Sequence, residues 1–193
     1  MSTMADTRNL ASQNEDMVYP GEVSGASAAR SWYAVYTIVR HEKTVDSLLS
    51  SKKIETFLPL REVMTQWKDR RKKLQLPLFP GYIFVRIFEK DAQSVLNILN
   101  TRGVVRILSS NGSYERVSAH QIDSIRCLVD TNVEYDPYKY LVKGKEVVVV
   151  NGPLSGVSGK IVERKGQNRL IVSIDIIKRS VAVKVDPADI ELV

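Results

Sequence analysis

Between Trp32 and Ile38 the chain alternates in twos, with Trp32, Ala34, Tyr36 and Ile38 on one face and Tyr33, Val35 and Thr37 on the other. That period, with this aromatic and β-branched content, predicts a strand. Residues 41–51 change period: Val45, Leu48 and Leu49 stand at i, i+3 and i+4, the apolar stripe of one helix face. Strand character returns over Ile54–Leu60, with Pro59 limiting its end. Val63, Thr65 and Trp67 then alternate, and Leu74, Leu76 and Leu78 alternate again after the run Lys68-Asp69-Arg70-Arg71-Lys72-Lys73. Two alternating arms around a charged tip predict a β-hairpin. Tyr82–Ile87 reads as a strand with Tyr82, Phe84 and Arg86 facing one way and Ile83, Val85 and Ile87 the other. A helix over 90–100 collects Ala92, Val95, Leu96 and Leu99 on one side, and Gly103 suits a left-handed stop after it. Val104–Leu108 is a short strand, and Asn111-Gly112 signals a tight turn. Ser118-Ala119-His120-Gln121 reads as a capping box opening a helix whose inner face carries Ile122, Ile125 and Val129.

The order β-α-β, hairpin, β-α-β-α implies a mixed sheet with helices packed on it, an α+β sandwich over residues 31–130. Residues 1–30 are polar, small and aperiodic, and are expected to be disordered because they offer too little apolar area to offset ordering entropy. Residues 131–141, with Asp136-Pro137 among tyrosines and charges, read as a linker. From 142 to 193 every segment is a short strand, with Val181, Val183 and Val185 alternating against Ala182, Lys184 and Asp186. About fifty residues of short strands predict a small β-barrel, whose closure removes exposed sheet edges.

Charge adds a direction. The 28 Lys and Arg against 22 Asp and Glu give +6, a mild basic excess of the kind carried by proteins that work beside nucleic acid. Chemistry is mostly excluded. One cysteine, Cys127, rules out an internal disulfide and a cysteine-based zinc site, and with only His41 and His120 no metal or other cofactor is expected. Leu154 and Ile161 stand where a phosphate-binding loop needs its first glycine and its hydroxyl, so Gly152–Lys160 is a pair of barrel turns. Neither histidine is spaced to serve a nucleophile, and Cys127 reads as a small buried hydrophobe on a helix. An enzyme is not expected. No apolar leader and no run of about 18 apolar residues is present, so a cytoplasmic protein is expected.

Two features ask for partners. The charges of Lys68, Arg70, Arg71, Lys72 and Lys73 make a ready phosphate contact, or else a solubilising loop. Tyr33, Tyr36, Phe79, Tyr82 and Phe84 cluster on strands that can be neighbours. Phe79 reads as core, while Tyr36, Tyr82 and Phe84 suit an exposed aromatic groove for a protein partner.

Trp32-Tyr33-Ala34-Val35-Tyr36, Pro77-Leu78-Phe79-Pro80-Gly81-Tyr82-Ile83-Phe84-Val85, Thr101-Arg102-Gly103-Val104 and Gly152-Pro153-Leu154-Ser155-Gly156-Val157-Ser158-Gly159 occur in the order and spacing that resembles the NusG transcription factors, over about 31–193. The resemblance implies an α+β N-terminal domain joined by a linker to an SH3-like barrel of the KOW type. It implies RNA polymerase as partner, with Tyr36, Phe79, Tyr82 and Phe84 lining a groove for the clamp helices of the largest subunit. Ser94, Val95, Leu96 and Asn97 would approach the second-largest subunit, and Thr101 and Arg102 would lie near non-template DNA. Leu154, Val157 and Ile176 would form the partner surface of the barrel. Holding the clamp closed favours the processive state through differential affinity for it.

The Pro-Leu-Phe-Pro stretch and Thr101-Arg102-Gly103 are similar to RfaH. The N-terminal extension and Ile174–Val181 resemble the UpxY antiterminators of capsular polysaccharide operons, and such paralogs act on selected long operons. Leu154 and Val157 stand where the general factor has aromatics, which weakens coupling to Rho or to the ribosome. Ile38 stands where RfaH has a basic residue, so no DNA sequence preference carries over. Two alternatives remain: a general NusG-type elongation factor, and an RNA-binding KOW protein of the ribosome-assembly kind.

Overall fold

The computed structural model describes residues 29–67, 70–131, 135–138, 143–164 and 166–193. The expected disordered extension thus lies almost wholly outside the described residues, as does Lys68.

The N-terminal part runs β1 (Arg30–Thr37), α1 (Glu42–Ser51), β2 (Glu55–Phe57), β3 (Leu60–Trp67), β4 (Arg70–Pro77), β5 (Tyr82–Phe88) and α2 (Ala92–Leu99). It continues with β6 (Val104–Ile107), β7 (Ser109–Ser110), β8 (Ser113–Tyr114), β9 (Arg116–Val117) and α3 (Ala119–Asp130). Its main sheet is ordered β2-β5-β1-β6, with β9 also pairing β1, and every pairing is antiparallel. Because side chains alternate across a strand, this register sorts them cleanly. Tyr33, Val35, Ile83, Val85 and Ile87 pack with Val45 and Leu49 of α1 and Ile98 of α2. Trp32, Ala34 and Phe84 face the other way, toward Ile122, Ile125 and Leu128 of α3.

Local chemistry explains most element ends. Asp91 caps α2, its carboxylate accepting from the Ser94 amide at 2.9 Å. Asn111 and Gly112 both take positive φ, 50° and 79°, between the paired Ser110 and Ser113, the conformation a two-residue hairpin turn demands.

Three local expectations are corrected. The strand expected over Ile54–Leu60 breaks after Phe57, and Leu60 opens the hairpin instead. In that hairpin Trp67 pairs with Arg70 and Met64 with Lys73, so Arg70–Lys73 belong to β4 and only residues 68–69 separate the arms. The capping box does not form: Ser118 makes no side-chain cap bond, and the Gln121 amide donates to Asp175 Oδ2 at 2.6 Å instead.

The C-terminal part comprises β10 (Tyr135–Tyr138), β11 (Lys145–Val149), β12 (Ser158–Arg164), β13 (Gln167–Ile174), β14 (Arg179–Lys184) and β15 (Ile190–Leu192). These form an antiparallel six-stranded sheet ordered β10-β14-β13-β12-β11-β15. β10 falls inside the segment read as a linker, where Tyr135 pairs with Val183 and Tyr138 with Ser180. Its Pro137 sits on an edge strand, where a missing amide is tolerated. Ser180, Val181, Ala182 and Val183 are all buried, so β14 is covered on both faces, not one as its alternation predicts. Helix α3 lies against β13 and shares one hydrophobic cluster with both parts, making it the middle layer of the molecule.

Candidate functional site

The sheet face opposite α1 and α2 is where the aromatic side chains gather. Tyr36 and Tyr82 are direct cross-strand partners on β1 and β5, with ring centroids 5.4 Å apart and planes tilted 50°. Both are half-buried. Phe84 stacks on Phe57 at 6.2 Å and meets Phe79 edge-on at 6.4 Å, while Trp32 meets Phe57 edge-on at 6.4 Å. Offset and edge-to-face arrangements like these contribute beyond area burial and hold a rigid surface.

Helix α3 closes part of this face with a cation. Arg126 places its guanidinium 5.0 Å from the Phe57 ring and 5.7 Å from the Trp32 ring, and Arg106 lies 5.9 Å from Tyr36. The turn before β5 is fixed from below. Gly81 has φ 83°, and a Cβ there would stand 3.2 Å from the Tyr36 ring, so any other residue is strained and must push the ring aside. Its amide donates to the buried Glu42 carboxylate at 2.7 Å, and its carbonyl accepts from Thr37 N at 2.8 Å.

Of the aromatics expected in a groove, the structure therefore brings all four to one face but sorts them. Tyr36 and Tyr82 reach the surface; Phe79 and Phe84, 3% and 0% exposed, lie beneath. Phe57 and Trp32 complete the array and were missed as site residues. For Trp32 the signal was available, since it shares a strand face with Tyr36; the place of Phe57 opposite Phe84 is set by the pairing of β2 with β5.

The other groups sort in the same way. On α2, Ser94 bonds the Asp91 carboxylate with its own hydroxyl at 2.5 Å, and Val95 packs inward. Asn97 lends its carbonyl to Lys52 and Thr101. Leu96, 53% exposed, is the outward residue of the four. Thr101 is 3% exposed and clasps the end of α2, its hydroxyl donating to Asn97 O at 2.7 Å and accepting from Lys52 Nζ at 2.7 Å. Arg102 beside it is exposed. Lys72 and Lys73 are exposed on β4, and Lys73 pairs with Glu62 at 2.8 Å, an ion pair that raises the lysine above its ordinary range.

Leu154 and Val157, expected to face a partner, are buried, and Ile176 is half-buried against the same cluster. They belong to the hydrophobic cluster shared by the two parts, which meet at a seam. There the Cys127 thiol approaches the Pro153 carbonyl at 3.5 Å, and His120 Nε2 lies 2.5 Å from Ser158 Oγ. The Tyr135 hydroxyl donates to the Leu60 carbonyl at 3.4 Å. Burial raises both the Cys127 thiol, assisted by the Asp130 charge, and the Tyr135 phenol, against the opposing pull of Arg61.

A family model described as transcription termination factor NusG matches residues 30–126, the whole segment from β1 into α3. The chain belongs to the NusG family. NusG proteins are transcription termination/antitermination factors, not enzymes. The transcription termination/antitermination protein NusG of Staphylococcus carnosus is 28% identical over 183 residues, covering 84% of this chain and 96% of that one. The Pseudomonas aeruginosa NusG is 24% identical over 177 residues, covering 86% and 99%. A solved structure concerning domain interaction in Thermotoga maritima NusG aligns with a TM-score of 0.50 at 20% identity, covering 84% of this chain and 96% of that one. That likeness supports the same NusG fold, mixed α/β with a strand-rich C-terminal part. Among the described residues no three His, Cys, Asp or Glu side chains group to hold a metal, and no helix is long and apolar enough to cross a membrane.

Proposed function

We propose that this NusG-family chain is a cytoplasmic elongation and antitermination factor that travels with bacterial RNA polymerase, closes its clamp and suppresses pausing and termination. The observation that carries this is the Tyr36–Tyr82 pair, half-buried on a rigid aromatic face in a chain whose N-terminal part matches the family model. Amphipathic aromatic rings of this kind anchor protein interfaces at low entropic cost. Their partner is the clamp helices of the largest subunit, with Phe84 as the floor of the groove and Phe79 at its seam edge. Leu96 approaches the second-largest subunit. Arg102 and the β4 lysines face nucleic acid, the non-template strand among them. The C-terminal sheet is the SH3-like KOW barrel, whose Leu154, Val157 and Ile176 become available to another partner once the seam opens. The motifs shared with RfaH and UpxY support service on selected long operons, such as those for polysaccharide synthesis.

The test is binding of the purified chain to core RNA polymerase, with isolated clamp helices as competitor. Tyr36→Ala with Tyr82→Ala should weaken binding by roughly thirtyfold or more, the scale of truncating an interface anchor. Undiminished binding by the folded double variant would sink the groove assignment. A second reading, a general factor acting on most genes, draws on the two relatives named above, both called transcription termination/antitermination protein NusG. Genome-wide occupancy separates the two: a few long operons, or nearly every transcribed gene.

A further inference from the structure

The seam between the two parts holds a cavity of about 250 Å³. Phe79 and Pro80 wall it from the turn before β5, and Pro137 and Tyr138 wall it from β10. Arg61 of β3 lines it from the N-terminal part and Arg179, at the start of β14, from the C-terminal part. No aspartate or glutamate lines it among the described residues. The Arg61 Nε is covered from solvent without a hydrogen-bond partner, and neither arginine joins an ion pair with the described residues.

This arrangement is unfavourable as it stands. A covered guanidinium N–H with no acceptor has lost its water and gained nothing in return, and two cations lining one cavity repel. The closest remedy in the chemistry of guanidinium is an oxyanion, whose oxygens accept paired N–H bonds in a fixed fork. The remaining lining is three prolines, Leu78, two aromatic residues and Ser180, mostly apolar and suited to an apolar body behind the charged end. The volume admits a small molecule of about one ring and one anionic group.

We propose that the seam cavity binds a small organic oxyanion whose charged end joins Arg61 of the N-terminal part to Arg179 of the C-terminal part. Such a ligand fastens the two parts together, because each supplies one of the two cationic contacts. The inference rests on the seam alone and not on the polymerase reading, so either can fail without the other.

Phenyl phosphate and inorganic phosphate are the probes, titrated into the full chain at constant ionic strength with chloride as the balancing anion. Thermal unfolding and calorimetric binding are the readouts. At ten times its dissociation constant phenyl phosphate should raise the melting temperature by about 3 °C or more, as mass action on the folded state requires. It should bind at least tenfold more tightly than inorganic phosphate, since only it fills the apolar walls. Equal binding of the two would overturn the organic ligand and leave a bare phosphate contact. Arg179→Gln changes an exposed side chain and should fold normally, yet weaken phenyl phosphate at least tenfold; Arg61→Gln should do the same. Unchanged affinity in Arg179→Gln would overturn the proposal, as would loss of binding on Lys72→Gln with Lys73→Gln, which would move the ligand to the hairpin.

Discussion

The two faces of the N-terminal sheet are built from the same strands and closed in opposite ways. On one, Tyr33, Val35, Ile83, Val85 and Ile87 meet Val45, Leu49 and Ile98, aliphatic side chains supplied by helices that directly follow β1 and β5. On the other, Trp32, Phe57, Phe79 and Phe84 are covered by α3 and, beyond it, by Leu154, Val157 and Val172 from the C-terminal part. The first face is finished by its neighbours in sequence. The second is finished from far along the chain, through a seam whose polar contacts include His120 with Ser158 and Gln121 with Asp175. A core made of fully buried aliphatic packing has no state in which it opens short of unfolding. The seam adds exposed hydrogen bonds to its share of buried packing, so the two faces differ in what holds them closed.

The largest effect expected of this contrast is in the aliphatic layer. Leu49→Ala should lower stability by about 2–5 kcal/mol, the range for truncating a fully buried leucine, read from the urea midpoint of the whole chain. A loss under about 1 kcal/mol, against the same range, would mean the layer is not the permanent core described. Gly81→Ala should act at the border between the faces. Its φ of 83° and the 3.2 Å approach to Tyr36 predict a loss of about 1–3 kcal/mol, with the Tyr36 ring displaced in the NMR spectrum of the variant. An unmoved Tyr36 resonance would show that the turn, not the ring, absorbs the strain.

The smallest effects are in pH dependence, and they separate the regions by sign. Cys127 and Tyr135 at the seam have values raised above those of the unfolded chain. Their contribution is complete below the unfolded values and is lost as pH rises through the folded ones. Glu89, held down by its ion pair with Arg116, and Asp91, held down by Ser94, behave oppositely. Theirs is present above the unfolded values and is lost as pH falls through the folded ones. Cys127→Ser with Tyr135→Phe should therefore flatten the alkaline limb of the stability curve and leave the acid limb, while Glu89→Gln does the reverse. Identical curves for both variants would erase the distinction.

Much of this was legible in the chain. Period two over Trp32–Ile38 and Tyr82–Ile87 assigned each side chain to its face, because alternate Cβ atoms must point to opposite sides of a strand. Asn111-Gly112 announced its turn, since few other residues accept two successive positive φ values. The gathering of Tyr36, Tyr82 and Phe84 followed from the same alternation once β1 and β5 paired. These are properties of local sterics, and local sterics are written in the order of residues.

What covers a face is not. Nothing in the spacing said that Phe84 would be sealed while Tyr82 stayed at the surface, or that Thr101 would be spent on clasping α2 and Arg102 left exposed. Gln121 had a capping role open to it one turn back, and Asp175, 54 residues on, took it instead. Ala182 reads as an outward position of β14, between strands β13 and β10 that come from elsewhere in the chain, yet it is buried. In each case the deciding contact comes from a segment distant in sequence, and its free energy depends on how two surfaces meet, which no periodicity records.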